Sequence, residues 1–179
     1  MLTSGAVQAA QVHFDYYYYK VSGDTVRQLV DSIDVNTPIH QNGEKWIGQV
    51  RERTLWDWKL QTQADGSCYL ASVDAVADIQ FVMPILDSSS LEVKEIWDRW
   101  YPHLWRHEMQ HARDAIAIVK QGENELLNLR PRGSCEAVEE MATELKSQLL
   151  DRVVEAGRRY DELTKHGEKT GAGLADYMK

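Results

Sequence analysis

Hydrophobic positions along the chain divide it into a mixed first half and a helical second half. Up to about residue 86 strand-like alternation of apolar and polar residues is interrupted by one short helix; from Ser90 apolar residues recur every three or four positions, as in helices. "VHFDYYYYKVSG" alternates and is rich in aromatics, which predicts a strand ending at Gly23. Its four consecutive tyrosines cannot all face a core, so alternate rings are expected to pack inward. Asp24 or Thr25 caps a short helix, with Val26, Leu29, Val30 and Ile33 at helical spacing and Pro38 beyond its end. A strand over 50–61, the hairpin signal "ADG" and a long strand over Cys68–Leu86 complete this half. In the long strand Val73, Ala75, Ala77, Ile79, Phe81 and Met83 point one way, and Asp74, Asp78 and Gln80 the other.

The second half reads as two helices. Val93, Trp97, Trp100, Leu104, His111, Ala115 and Ile118 form one stripe, with Gly122 as a stop. Pro102 is expected to divide this stretch into a lead-in and a helix starting near His103. A loop through Pro131 and Gly133 leads to a helix over 135–163. Its inward set is Val138, Met141, Ala142, Leu145, Leu149, Val153, Ala156, Tyr160 and Leu163, and Gly167 ends it. The tail "EKTGAGLADYMK" reads as irregular. The expectation is an α+β fold, with a small, mostly antiparallel sheet and a long C-terminal helix, in a single domain over residues 1–179 or at most two tightly associated lobes.

Composition narrows the partners. The 179 residues carry a formal charge of −8, which offers no basic footprint for nucleic acid or an anionic membrane. No apolar run approaches the roughly eighteen residues that span a bilayer. "MLTSGAVQAAQVHF" lacks the charged start and apolar run of an intact signal peptide, and fits a chain whose signal was removed. The two cysteines, Cys68 and Cys135, each follow a Gly-Ser pair at the start of a regular element. Count and placement alone fit either a disulfide or two buried thiols, and neither lies in a CxxC.

The candidate chemistry lies in "LWRHEMQHARDA", where His107, Glu108 and His111 form an HExxH. Histidines four apart on a helix project from one face and can share a tetrahedral zinc, with the glutamate turned toward the open position as a base. His111 lies on the core-facing stripe, where polar groups are costly unless something uses them. A third donor must come from elsewhere. Glu136, Glu139, Glu140 and Glu144 precede or flank the apolar stripe of the second helix; all but Glu139 point largely outward, and a solvated acidic face suits them. His166, at the end of that helix, is the other candidate. A tight antiparallel helix hairpin would bring His111 to the level of Glu144 rather than His166, so the residues alone leave the choice open. His13, His40 and His103 have no comparable placement.

"YYYYKVSGDTVRQL", "GSCYLASV", "WRHEMQHARDA", "GSCEAVEE" and "YDELTKHGEKTGA" occur in this order. Together they resemble a family of uncharacterised bacterial proteins described as predicted secreted zinc-dependent proteases, over residues 13–172. The resemblance implies a zincin-like fold, zinc held by His107 and His111, Glu108 as the base, a Cys68–Cys135 disulfide, and export to the periplasm or beyond. Because His166 belongs to the Tyr-Asp-x-x-Thr-x-His-Gly stretch, it becomes the preferred third ligand. The activity so implied is a peptidase acting on a peptide or protein substrate. Tyr160 would donate to the oxyanion, or Asp161 would orient a ligand imidazole. An edge strand, either Cys68–Leu86 or its hairpin partner, would receive the substrate. The alternative is a zinc-binding interaction module without catalytic activity. A di-iron bundle would need a second Glu-x-x-His, which the chain lacks.

Overall fold

The computed structural model of the chain describes residues 9–41, 43–129 and 133–178. The readings of the N-terminal segment 1–8 and of Pro131 lie outside them. In chain order the elements are β1 (Gln11–Val21), α1 (Val26–Asn36), β2 (His40–Gln41), β3 (Glu44–Lys45), β4 (Gln49–Thr62), β5 (Cys68–Leu86), α2 (Leu91–Leu127) and α3 (Cys135–Thr164). Two single 3-10 turns follow, Glu168–Thr170 and Leu174–Tyr177. The fold is thus α+β, with three helices and a small mixed sheet.

The sheet has the order β1-β5-β4, and β2 and β3 form a separate antiparallel ribbon. The expectation of a mostly antiparallel sheet needs correction. β5 pairs with β4 through the hairpin at 63–67, where Gln63 N–H donates to the Ser67 carbonyl at 2.7 Å. Against β1, however, His13 meets Asp78 and Asp15 meets Gln80, both at a separation of 65 residues. A constant offset means that the two strands run parallel, and the long connection through α1 and β4 supplies the crossover. The long strand is therefore central and has no free edge; β4 is the outer strand of that pair.

Local sequence accounts for most boundaries. Thr25 caps α1 in a full capping box: its hydroxyl accepts from Gln28 N–H, and the Gln28 side chain accepts from the Thr25 amide. In β5 the predicted inward set Val73, Ala75, Ala77, Ile79, Phe81 and Met83 is fully buried. Among the four tyrosines only Tyr19 is buried; Tyr16 and Tyr18 cover the sheet outwardly, with Tyr16 stacked on Phe81 and Trp105.

Two breakers do not break. α2 runs unbroken through Pro102, whose missing amide costs one hydrogen bond, because Trp97, Trp100 and Leu104 bury the helix on both sides of it. Gly122 likewise sits inside α2 rather than ending it. A methyl group there would lie 2.6 Å from Leu149 Cδ1 and 2.9 Å from Trp56 Nε1, so the glycine admits a close neighbour. On α3, Met141 and Leu163 are exposed, while Val138, Ala142, Leu149 and Val153 are buried. The tail is ordered by packing: Trp100 Nε1 donates to the Ala172 carbonyl at 2.8 Å, and Ala172 and Leu174 are buried.

The chain divides into two compact units, interleaved in sequence. One comprises Met1–His13, Arg53–Asp78 and Asp114–Ala156. Its described core holds Trp56, Leu70, Val119, Leu126 and Leu149. Within it Cys68 and Cys135 form a disulfide across 67 residues of chain, a closure that stabilises by roughly 4 kcal/mol in the chain-entropy model. The other comprises Phe14–Glu52, Ile79–Arg113 and Gly157–Lys179, with a core of Leu29, Ile39, Phe81, Met83 and Trp100. Among the described residues no helix is long and apolar enough to cross a membrane.

Candidate metal centre

The HExxH lies in the second of these units, in the middle of α2. His107 and Glu108 are each only 5 % exposed, and His111 follows one turn later with its ring 5.0 Å from that of His107. The last full turn of α3 brings Asp161 to this pair. Asp161 Oδ1 stands 3.2 Å from His107 Nε2 and 3.0 Å from His111 Nε2. The three donor atoms all lie within 4.8 Å of one another, the one such group among the described residues.

These donors fit a zinc ion. Four ligands at about 2.0–2.1 Å around a tetrahedral centre stand about 3.3 Å from each other. The nitrogen-to-oxygen spacings of 3.0 and 3.2 Å are close to that edge. Two imidazoles and one carboxylate are also a donor set that leaves a fourth position open.

The stretch "YDELTKHG" builds the wall opposite α2, and each of its notable residues has a physical task. The Tyr160 ring stacks on His107 at 4.9 Å and meets His111 edge-on at 5.1 Å. Thr164 closes the helix: its hydroxyl donates to the Tyr160 carbonyl at 2.8 Å and accepts from Gly167 N–H at 3.1 Å. Lys165, His166 and Gly167 then take left-handed φ values of 51°, 50° and 85°. His166 N–H donates to the Asp161 carbonyl at 2.8 Å, securing the turn. Gly167 is pressed against the site, since a methyl group there would lie 2.6 Å from Ala172 Cβ and 3.3 Å from His107 Nδ1.

His166 therefore does not join the two histidines. Its Nδ1 is 3.8 Å from Asp161 Oδ2, its side chain is half exposed, and its ring rests on Trp46 at 4.6 Å. The left-handed turn directs it past the donors, whereas Asp161, still helical, points between them. Asp161 thus stands with the two histidines, and His166 lies behind it. His111 Nε2 meets Asp161 Oδ1 near the C-terminal end of α3, so the helix that carries His166 does approach the histidine pair with its last turn.

Electrostatics separates the carboxyls. Burial raises the Glu108 carboxyl to about 7, although the Val50 amide hydrogen-bonds it. Burial alone would also raise Asp161, but hydrogen bonds from His107 and His111 hold it well below the ordinary carboxylate range. Burial opposes the charge on His111, yet Asp161, Glu108 and Glu52 together raise it. One carboxyl is thus kept anionic between imidazoles while its neighbour can hold or release a proton near neutrality. His107 Nδ1 is buried without a hydrogen-bond partner among the described residues.

The remaining candidates lie elsewhere. Glu136, Glu140 and Glu144 are exposed, and Glu139 accepts a hydrogen bond from Trp58 Nε1 at 2.9 Å. His13 pairs with Asp78, and His103 Nδ1 lies 2.9 Å from the Thr170 carbonyl. Sequence reasoning missed Asp161 as a donor although Leu149, Val153, Gly157 and Asp161 continue one stripe at four-residue steps. It also missed Gly48, where a methyl group would fall 2.9 Å from Glu108 Oε1.

A family model described as "Bacterial protein of unknown function (DUF922)" matches residues 16–167. The chain belongs to this family. The match runs from the middle of β1 to the Gly167 turn, so HExxH and "YDELTKHG" both fall inside the DUF922 region. No curated protein and no solved structure matches the chain.

Proposed function

We propose that this DUF922 protein is a zinc-dependent hydrolase, with a peptide or protein as substrate and a zincin-like arrangement of its active helix. His107, His111 and Asp161 would hold the metal. When bound, zinc supplies Lewis acidity that lowers the pKa of water and polarises a carbonyl. Glu108 accepts the proton of the attacking water and returns it to the leaving amine, a task suited to a carboxyl that titrates near 7. Tyr160 holds both imidazoles by packing, and its phenol is a donor for the oxyanion. The outer strand β4 offers a sheet edge with which an extended peptide could pair. The Cys68–Cys135 disulfide favours a periplasmic or secreted location.

The observation that carries this reading is the convergence of His107, His111 and Asp161 beside the buried carboxyl of Glu108, which shares α2 with both histidines. Glu108→Gln tests it, on zinc-loaded protein with unfolded casein or a mixed peptide library. Zinc content should match the wild type, while hydrolysis falls by about 10²–10⁴-fold, the usual worth of a positioned base. Hydrolysis that survives the substitution would remove Glu108 from the mechanism. Zinc uptake by wild-type protein with no hydrolysis of any substrate would favour an interaction module that uses the metal as a clamp.

A further inference from the structure

Glu123, one turn before the end of α2, is only 4 % exposed. Its Oε2 accepts a hydrogen bond from Ala10 N–H at 3.1 Å, and its Oε1 is buried with no hydrogen-bond partner among the described residues. One neutral amide does not offset the burial of a carboxylate, which needs a cation or several donors. Burial pushes the carboxyl up against that hydrogen bond, and the Asp74 charge adds to the rise. Ala10 directly precedes β1, and Ala9 before it is exposed. In sequence, Val7 and Ala9 stand three and one positions before Ala10, the A-x-A-like spacing of small side chains at which exported proteins lose their leader. A cut one residue later would put Gln8, longer and polar, at the first of these positions. The Cys68–Cys135 disulfide fits export.

We propose that the chain is processed between Ala9 and Ala10, and that Glu123 receives the amino terminus so formed. Water adds to the Ala9 carbonyl, the bond to the Ala10 nitrogen breaks, and the products are an Ala9 carboxylate and an Ala10 ammonium. The reaction belongs to a leader peptidase of small-residue specificity acting on this chain, and it is independent of the chain's own metal centre. The ammonium nitrogen is the atom that now stands 3.1 Å from Oε2 as an amide, and it gains a positive charge and two further N–H donors. One of these can turn to Oε1 of the same carboxyl, which the amide leaves without a partner. A charge-assisted pair then anchors the residue from which β1 starts, and the uncut chain is the less stable form.

Protein recovered from its native cells gives the first test, by mass spectrometry of the N-terminal peptide. Ala10 should be the first residue, and a mature chain that begins anywhere else would overturn the proposal. For the second test, a protease site replaces the residues before Ala10, the protein is cut so that Ala10 is first, and part of the product is acetylated at its α-amine. No element of the fold is removed, since β1 starts at Gln11. Urea unfolding is followed at about pH 6.5, where an α-amino group is charged. The free amine should fold with an equilibrium constant at least about tenfold larger than the acetylated form, the worth of one hydrogen bond to a charged group. In Glu123→Gln the two forms should agree within about twofold, because the acceptor has lost its charge. Equal stability of the free and acetylated wild type, or a gap that persists in Glu123→Gln, would overturn the proposal.

Discussion

Replacing Gly167 by alanine perturbs the fold and the metal centre through a single methyl group. Gly167 has a φ of 85°, and the new Cβ would lie 2.6 Å from Ala172 Cβ. Carbon atoms in good contact stand about 3.5–4.0 Å apart, so one side must move by about 1 Å. The other side is closed by His107, whose Cγ and Nδ1 would be 3.3 Å away. The left-handed backbone costs alanine about 1–2 kcal/mol, and overpacking adds about 1–3 kcal/mol, a total of about 2–5 kcal/mol. For a chain of this size that lowers the midpoint by about 5–20 °C in a thermal melt followed by circular dichroism. Gly43→Ala is the control: it has a φ of 82° but nothing within 4 Å of the new methyl, so it should lose only the backbone part. Equal losses for the two variants would refute the claim that Gly167 is fixed by close packing on His107. Zinc affinity should fall in Gly167→Ala and stay unchanged in Gly43→Ala.

Gly122→Ala should destabilise by about 1–3 kcal/mol in urea unfolding despite alanine's better helix propensity, because Leu149 and Trp56 leave no room. Reduction of Cys68–Cys135 should lower stability by about 4 kcal/mol, read as a shift of the urea midpoint between oxidised and reduced protein. Metal-free protein should be most stable near about pH 5 in melts between pH 3 and 8. The Asp161 contribution is present above its unfolded value of 3.8 and is lost as pH falls. Glu108 withdraws stability as pH rises from 4.5 to about 7, and the His111 contribution, present below 6.5, is lost as pH rises through its raised value. Zinc should move the optimum toward neutrality, because it binds deprotonated ligands.

The hydrophobic pattern made most elements legible, because a half-buried strand or helix must repeat its apolar side. The buried set of β5 and the capping box at Thr25 could be read in this way. What stayed hidden depended on distant neighbours. Gly122 and Pro102 break isolated helices, but Leu149, Trp56 and the buried tryptophans of α2 outweigh those local costs. The parallel course of β1 and β5 leaves no local signal, since it is set by the crossover rather than by either strand. At the site, HExxH was plain because both histidines and the glutamate sit on one helix. The identity of the residue meeting them depended on the left-handed turn at Lys165–Gly167, which carries His166 away and leaves Asp161 facing the pair.

The central claim is that His107, His111 and Asp161 form one metal site. The most direct test is zinc affinity by competition with a chromophoric chelator near neutral pH, for the wild type, Asp161→Ala and His166→Ala. The wild type should take up about one equivalent. Asp161→Ala should lose at least about 100-fold in affinity, more than the loss of an outer partner costs, and His166→Ala no more than about tenfold. Zinc retained by Asp161→Ala but lost by His166→Ala would contradict the assignment and give the third position to His166.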